Sequence, residues 1–301
     1  MPRIEQFQLK VALVSLPVLL VLTATNAEAA TPNFKAKKLA SFTQQQISSA
    51  VSDLGVEIPD QAFKYDVSLY QLNYATTDGY GKKVAASGVI AIPNKGANIA
   101  SPLLSFQHGT IFQNKEAPSN DLTAGAPPTV LAALGYVTIA SDYVGYGASQ
   151  GKAHPYLLKT PSANAVTDFI KSSAVWLKLN KIALNKQLFL TGYSEGGYVT
   201  MAAHQALQAQ PIAGLSLTAS LPAAGPYHIS RTLKSIVASA ANRQDTSHYL
   251  QAAEDKSLSP ILVGWLTKRV MDALIPDDSD VVFQDTIIRN YLRSGTAGVL
   301  D

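Results

Sequence analysis

The stretch LFLTGYSEGGYVTMAAHQAL, residues 188–207, restricts the fold of this chain more than any other. An apolar run leads into Gly192-Tyr193-Ser194-Glu195-Gly196, and a helix-forming segment follows at once. The G-x-S-x-G spacing belongs to a turn that passes from strand straight into helix. Its middle residue takes strained backbone angles, and side chains two positions either side would clash, so glycine is required there. Such a turn lifts the Ser194 hydroxyl clear of the sheet. The N-terminus of the following helix points its unpaired N–H groups at any negative charge that develops nearby. Gly197 lets that helix pack closely.

The rest of the chain supplies the strands and helices that the turn demands. Residues 31–63 are polar and predict an entry segment with a short helix. YDVSLYQLNYAT and KKVAASGVIAIP flank the turn residues TDGYG, which predicts an antiparallel hairpin. SPLLSFQHGT is a short apolar run, and PPTVLAALGYVTIASDY predicts helix, a stop at Gly135, then strand. SANAVTDFIKSSAVWLKLN places Ala165, Val166, Phe169, Ile170, Val175, Trp176 and Leu179 on a helical face. QLFLTG predicts the strand before the serine turn, and IAGLSLTASLPAAGP one more strand after its helix. Strand and helix thus alternate from about residue 100 to 220. That alternation predicts an α/β fold, a mainly parallel sheet with helices on both faces. Past Gly225 the period is helical, so residues 226–301 are expected to form a helical cap or insertion.

Composition removes several alternatives. Charged residues are 15% and apolar residues 47% of the 301, as in a packed globular protein. The net charge of +3 is scattered, and no Lys/Arg run suggests nucleic acid. There is no cysteine, which excludes disulfides, a thiol nucleophile and thiolate metal sites. No phosphate-binding glycine loop, zinc-type His/Glu pattern or dinucleotide fingerprint occurs, so neither metal nor other cofactor is expected. Arg3 and Lys10 precede the apolar run VALVSLPVLLVLTA, and Ala27-Glu28-Ala29 fits a small-x-small cleavage site. Residues 1–29 therefore predict a signal peptide and a secreted or periplasmic protein without a stable membrane anchor. The apolar run is shorter than the roughly 20 residues a membrane helix needs.

Gly109 and Thr110 follow the apolar run SPLLSF, where a serine hydrolase needs a second backbone N–H for its oxyanion. SFQHGT, SDYVGYGAS, HPYL and GYSEGG, in this order, resemble the secretory lipase family of α/β-hydrolases (lipase A-like). The resemblance covers roughly residues 65–228. It implies an α/β-hydrolase core over residues 30–225, with a helical cap inserted after the sixth strand of the fold. It also implies hydrolysis of small-molecule carboxylic esters or lipids without a cofactor. By this resemblance Ser194 is the nucleophile, and Thr110 and Glu195 donate backbone N–H groups to the oxyanion. Gly109, Gly192, Gly196 and Asp142 support the site, and His154-Pro155-Tyr156 shapes its floor and rim. His108 is expected to orient its loop or pack locally.

In this fold the triad runs Ser, then Asp or Glu, then His. The histidines are His108, His154, His204, His228 and His248. Only Glu195 and Asp245 lie as acids between Ser194 and His248, and Asp272, Asp277, Asp278 and Asp280 follow with no histidine after them. Asp245 and His248 are i,i+3 neighbours on one helix and do not represent two successive strand-end loops. Acid and base are therefore expected beyond residue 301, in a chain cut before its last strands, and its ester hydrolysis is expected to be weak. Two alternatives remain: a non-catalytic remnant or apolar-ligand binder, and a serine peptidase of the same fold.

Overall fold

The computed structural model describes residues 36–96, 99–228, 231, 275–276 and 278–284. The expected leader, most of the expected cap, Asp245 and His248 lie outside the described residues.

Among the described residues, eleven helices and strands carry the fold: β1 (Ala36–Phe42), α1 (Gln44–Asp53), β2 (Val67–Thr77), β3 (Lys83–Pro93), β4 (Ser101–Gln107), α2 (Pro127–Ala133), β5 (Val137–Ser141), α3 (Lys159–Leu179), β6 (Leu184–Tyr193), α4 (Glu195–Ala209) and β7 (Ser216–Ala223). The hairpin β2–β3 and the alternation from β4 to β7 match the sequence reading. The strand β1 does not, because residues 36–42 were expected to lack strand. It pairs antiparallel with β2 and carries a register shift between Lys38 and Ala40. That irregularity, together with two lysines at the sheet edge, hides the alternation that marks a strand.

The seven strands lie in the order β1-β2-β3-β5-β4-β6-β7. β4, β5, β6 and β7 pair in parallel, whereas β1, β2, β3 and β5 join through antiparallel pairs. Only β1 and β3 run against the rest, so the sheet is mainly parallel, as expected. Both faces are covered. Val67, Leu69, Val89, Ala91 and Ala140 pack with Ile47 and Val51 of α1 and with Ala132 and Ala133 of α2. Leu72, Tyr74, Ala86, Ile90, Val137 and Ile139 pack with Phe169 and Ile170 of α3 and with Tyr198, Val199 and Ala203 of α4. Strand residues alternate between these two clusters, which is the period-2 signature of a sheet buried on both sides.

Local chemistry sets where the helices begin. Thr43 closes a capping box on α1: its hydroxyl accepts from the Gln46 N–H, and the Gln46 side chain accepts from the Thr43 N–H. α2 opens on Pro127-Pro128, whose fixed φ suits the first helical turn. On α3 the expected face is shifted. Val175 and Leu179 are exposed, while Ser173 and Leu177 are fully buried. Residues 166, 169, 170, 173 and 177 make the i, i+3, i+4, i+7, i+11 stripe that meets the sheet.

Register brings three strand ends together. Gln107 pairs with Gly192 across β4 and β6, and Tyr193 pairs with Ala223 across β6 and β7. The segments leaving β4 and β6, which carry Gly109-Thr110 and Ser194, therefore emerge side by side at the carboxyl edge of the sheet.

Candidate active site

Ser194 is the hinge between β6 and α4, with φ 57° and ψ −122°. A side chain held in that region costs on the order of 1–3 kcal/mol, which the surrounding structure must offset. Three backbone bonds hold it: Ser194 N–H donates to the Ala223 carbonyl at 3.0 Å, and the Ser194 carbonyl accepts from Gly197 and Tyr198 at 2.9 and 3.2 Å. The glycine spacing has the predicted steric cause. A Cβ on Gly192 or Gly196 would stand under 3.0 Å from the Gln107 carbonyl oxygen, a backbone atom that cannot step aside. The Gln107 side chain locks the same junction, bonding Ser105 and Thr200 at 2.7 and 2.8 Å.

Gly109 runs directly against this turn. A Cβ built on it would lie 3.3 Å from the Tyr193 carbonyl oxygen and 3.8 Å from Ser194 Cβ. The loop that carries Gly109 is fixed by three tyrosine hydroxyls. Tyr143 donates to the His108 carbonyl at 3.1 Å, Tyr146 donates to the Ile111 carbonyl at 2.8 Å, and Tyr156 shares a 3.0 Å bond with Thr110 Oγ1. Burial, and next the Glu195 carboxyl, push all three hydroxyls up, Tyr156 to about 12. They remain neutral donors across the ordinary pH range.

His108 is buried, as its expected local role requires. Its Nδ1–H donates to the Gly109 carbonyl at 2.8 Å, and its ring stacks on Tyr143 with centroids 4.0 Å apart. Burial pushes its pKa below the usual histidine value. Asp142 holds the same loop from beneath. One carboxyl oxygen accepts from the Ser87 and Ser119 hydroxyls at 2.5 and 2.6 Å, and the other accepts from the Ser119 N–H at 2.8 Å. Burial raises its pKa, and those bonds pull it part of the way back.

The sequence reading placed Glu195 as a backbone donor and His154 as a rim residue, and missed that their side chains meet. His154 Nε2 lies 2.8 Å from Glu195 Oε1, with both residues buried. His154 Nδ1 faces the Val144 carbonyl at 2.8 Å. A carbonyl only accepts, so Nδ1 carries a proton and one further proton lies between Nε2 and Oε1. The signal available in the sequence was an acid inside Ser-Glu-Gly-Gly-Tyr-Val, at a helix start otherwise lacking charge. A buried carboxyl needs a partner, but the partner is 41 residues away and spacing does not disclose it.

Residues 278–284 close over the same region. The Asp280 N–H donates to the Phe112 carbonyl, the Asn114 N–H donates to Asp280 Oδ1, and Gln113 Nε2 donates to Asp278 Oδ2. His154 N–H donates to the Val282 carbonyl at 2.6 Å, and Gln284 N–H donates to the His154 carbonyl at 2.7 Å. Phe283 packs on Phe112, His154 and Tyr156. Asp278 and Asp280 thus bind the loop after β4. His204, on α4, bonds the Ser220 hydroxyl at 2.9 Å. Among the described residues no three His, Cys, Asp or Glu side chains gather as a metal site, and no helix is long and apolar enough to cross a membrane.

No family model matches the chain, and no curated protein matches it. Solved structures do. LipA of Xanthomonas oryzae, a rice cell wall degrading esterase, matches over 89% of this chain and 78% of its own, with a TM-score of 0.63 and 25% identity. Its ligand-bound form matches over 87% and 77%, with a TM-score of 0.62 and the same identity. A protein of Legionella pneumophila at 23% identity, covering 87% of this chain and 75% of its own, shares the fold with a TM-score of 0.62. The fold is that of the α/β-hydrolases, and esterase structures share it.

Proposed function

We propose that this chain is a secreted serine ester hydrolase of the secretory lipase type, acting on an apolar ester or lipid through an acyl-enzyme. One observation carries the reading: Ser194 is held at a strained strand-to-helix turn, against Gly109 and at the start of a helix. Its Oγ attacks the ester carbonyl carbon, and the C=O electrons move onto the oxygen. The Thr110 and Glu195 N–H groups receive that oxyanion. A histidine oriented by an acid takes the serine proton and returns it to the departing alcohol. Water then attacks the acyl-enzyme and releases the carboxylic acid.

In this fold acid and base belong on loops later in the chain than Ser194. Without them the serine, its oxyanion donors and substrate binding supply about 10³–10⁴-fold over water, and the full rate needs both. Half-buried Phe283 packs on half-buried Phe112 and Tyr156, and Tyr156 bonds Thr110, an apolar cluster that supports an apolar substrate. The leader at residues 1–29 supports export.

The test is p-nitrophenyl butyrate hydrolysis by the protein, by Ser194→Ala and by His248→Ala. Turnover that Ser194→Ala abolishes supports the reading, and its loss in His248→Ala as well would identify the base. Equal turnover in Ser194→Ala overturns it.

A further inference from the structure

The loop His154-Pro155-Tyr156 lies outside the reacting atoms, yet its two polar side chains end on the two residues assigned as oxyanion donors. His154 Nε2 meets the side chain of Glu195, the residue after Ser194 and the first of α4. Two residues on, the Tyr156 hydroxyl meets the Thr110 side chain at 3.0 Å. We infer that this loop is a strut that sets the spacing of the two oxyanion donors, with His154 and Tyr156 as positioning residues. The inference rests on the serine hydrolase reading.

The strut is itself rigid. Pro155 restricts φ at its centre. His154 Nδ1–H is anchored on the Val144 carbonyl, and the backbone bonds Tyr156 N–H to the His154 carbonyl at 2.9 Å and Leu158 N–H to the Pro155 carbonyl at 3.1 Å. Both polar groups of the His154 backbone are taken up by Val282 and Gln284. Four further rings, Tyr143, Tyr146, Tyr156 and Phe283, pack around the imidazole. The histidine therefore cannot follow Glu195 if the start of α4 moves. It holds that start in place.

Rigidity matters here because of what an oxyanion hole requires. Each donor must come to about 2.7–3.1 Å from one shared oxygen, and the gain comes from having the donors in place before the charge appears. Thr110 and Glu195 sit on separate segments that follow β4 and β6. A single strut touching both fixes their separation more tightly than either segment does alone. The burial of the pair fits this role. Glu195 Oε2 has no hydrogen-bond partner among the described residues. A carboxyl with an unpaired buried oxygen gives weak net stability, because desolvation offsets much of the attraction to its partner. A hydrophobic residue there would serve stability as well but would not reach His154. The ring packing on Tyr156 and the Pro155 link join the two prongs, so a shift at one is transmitted to the other.

The experiment uses the full chain with p-nitrophenyl butyrate as substrate. Active sites are counted by a fluorophosphonate that labels Ser194, so kcat is expressed per competent site. Variants are His154→Ala, Glu195→Ala, Glu195→Gln, the His154→Ala/Glu195→Ala double and Tyr156→Phe. Removing an oxyanion donor outright costs about 10²–10³ in kcat, so misplacing one is expected to cost about tenfold. His154→Ala and Glu195→Ala should each lose that much with KM changed by less than about twofold, since ground-state binding is untouched. The double variant should be no slower than either single, because both remove the same contact. Glu195→Gln should recover part of the loss, because its amide N–H donates to Nε2 and rebuilds the bridge. Tyr156→Phe keeps the ring and loses one neutral bond, for about a three- to tenfold drop.

Wild-type kcat per labelled site in Glu195→Ala, Glu195→Gln and Tyr156→Phe alike would overturn the strut while leaving the hydrolase reading intact. Equal losses in Glu195→Gln and Glu195→Ala would also overturn it. A wild-type chain that neither labels at Ser194 nor turns over would overturn the hydrolase reading, and this inference with it.

Discussion

Replacing Asp142 by alanine should destabilise the fold by roughly 3–5 kcal/mol, worked from the groups it would leave behind. Its carboxyl accepts three bonds, from the Ser87 hydroxyl, the Ser119 hydroxyl and the Ser119 N–H. Asp142, Ser87 and Ser119 are each at most 2% exposed. A buried donor with no acceptor costs about 1–3 kcal/mol, and the two hydroxyls already accept from Ala148 N–H and Gln71 Nε2, so rotation does not easily re-satisfy them. Asp142→Asn keeps an acceptor for the Ser119 N–H and should cost less, roughly 1–3 kcal/mol. Urea unfolding followed by circular dichroism measures both. The pH dependence has a fixed sign. Burial raises the folded pKa of Asp142 above its ordinary 3.8. Its titration therefore contributes stability that is full below pH 3.8 and is lost as pH rises through the higher folded value. The stability difference between wild type and Asp142→Asn should be largest at the acid end of that window and shrink above it. An Asp142→Ala variant within about 0.5 kcal/mol of wild type, the range of an ordinary surface change, would refute the reasoning. So would a difference that grows with pH.

Gly196→Ala puts a methyl under 3.0 Å from the Gln107 and His108 carbonyl oxygens. It should cost about 1–3 kcal/mol through overpacking and abolish fluorophosphonate labelling of Ser194, read by denaturant melts and mass spectrometry. Phe169 is fully buried between Tyr74 and Gly88, so Phe169→Ala should lower stability by about 3–5 kcal/mol in the same melts.

The parts of the site that a reader of the sequence could see are those fixed within a few residues. Gly192, Ser194 and Gly196 obey a local steric rule, and the turn obeys it in space. The hairpin, α3 and the strands flanking Ser194 follow from periodicity for the same reason. What spacing conceals is anything that closes across elements. Glu195 and His154 stand 41 residues apart, and Asp280 reaches Asn114 across 166. Tyr143, Tyr146 and Tyr156 resemble any other aromatic residues in sequence, yet they pin three positions of one loop. β1 escaped because a register shift and edge lysines broke its alternation. Val175 and Leu179 misled because a helical stripe about 100° wide leaves room for apolar residues at its margin, where they remain in solvent.

The central claim is that Ser194 becomes acylated. Incubating the chain with p-nitrophenyl butyrate, quenching in acid and mapping peptides by mass spectrometry tests it directly, with Ser194→Ala as the control. The account predicts a butyryl group on the peptide carrying Gly192-Tyr193-Ser194, absent from the control. An unmodified Ser194 in a chain that still hydrolyses the ester, or an equal adduct in Ser194→Ala, would contradict it.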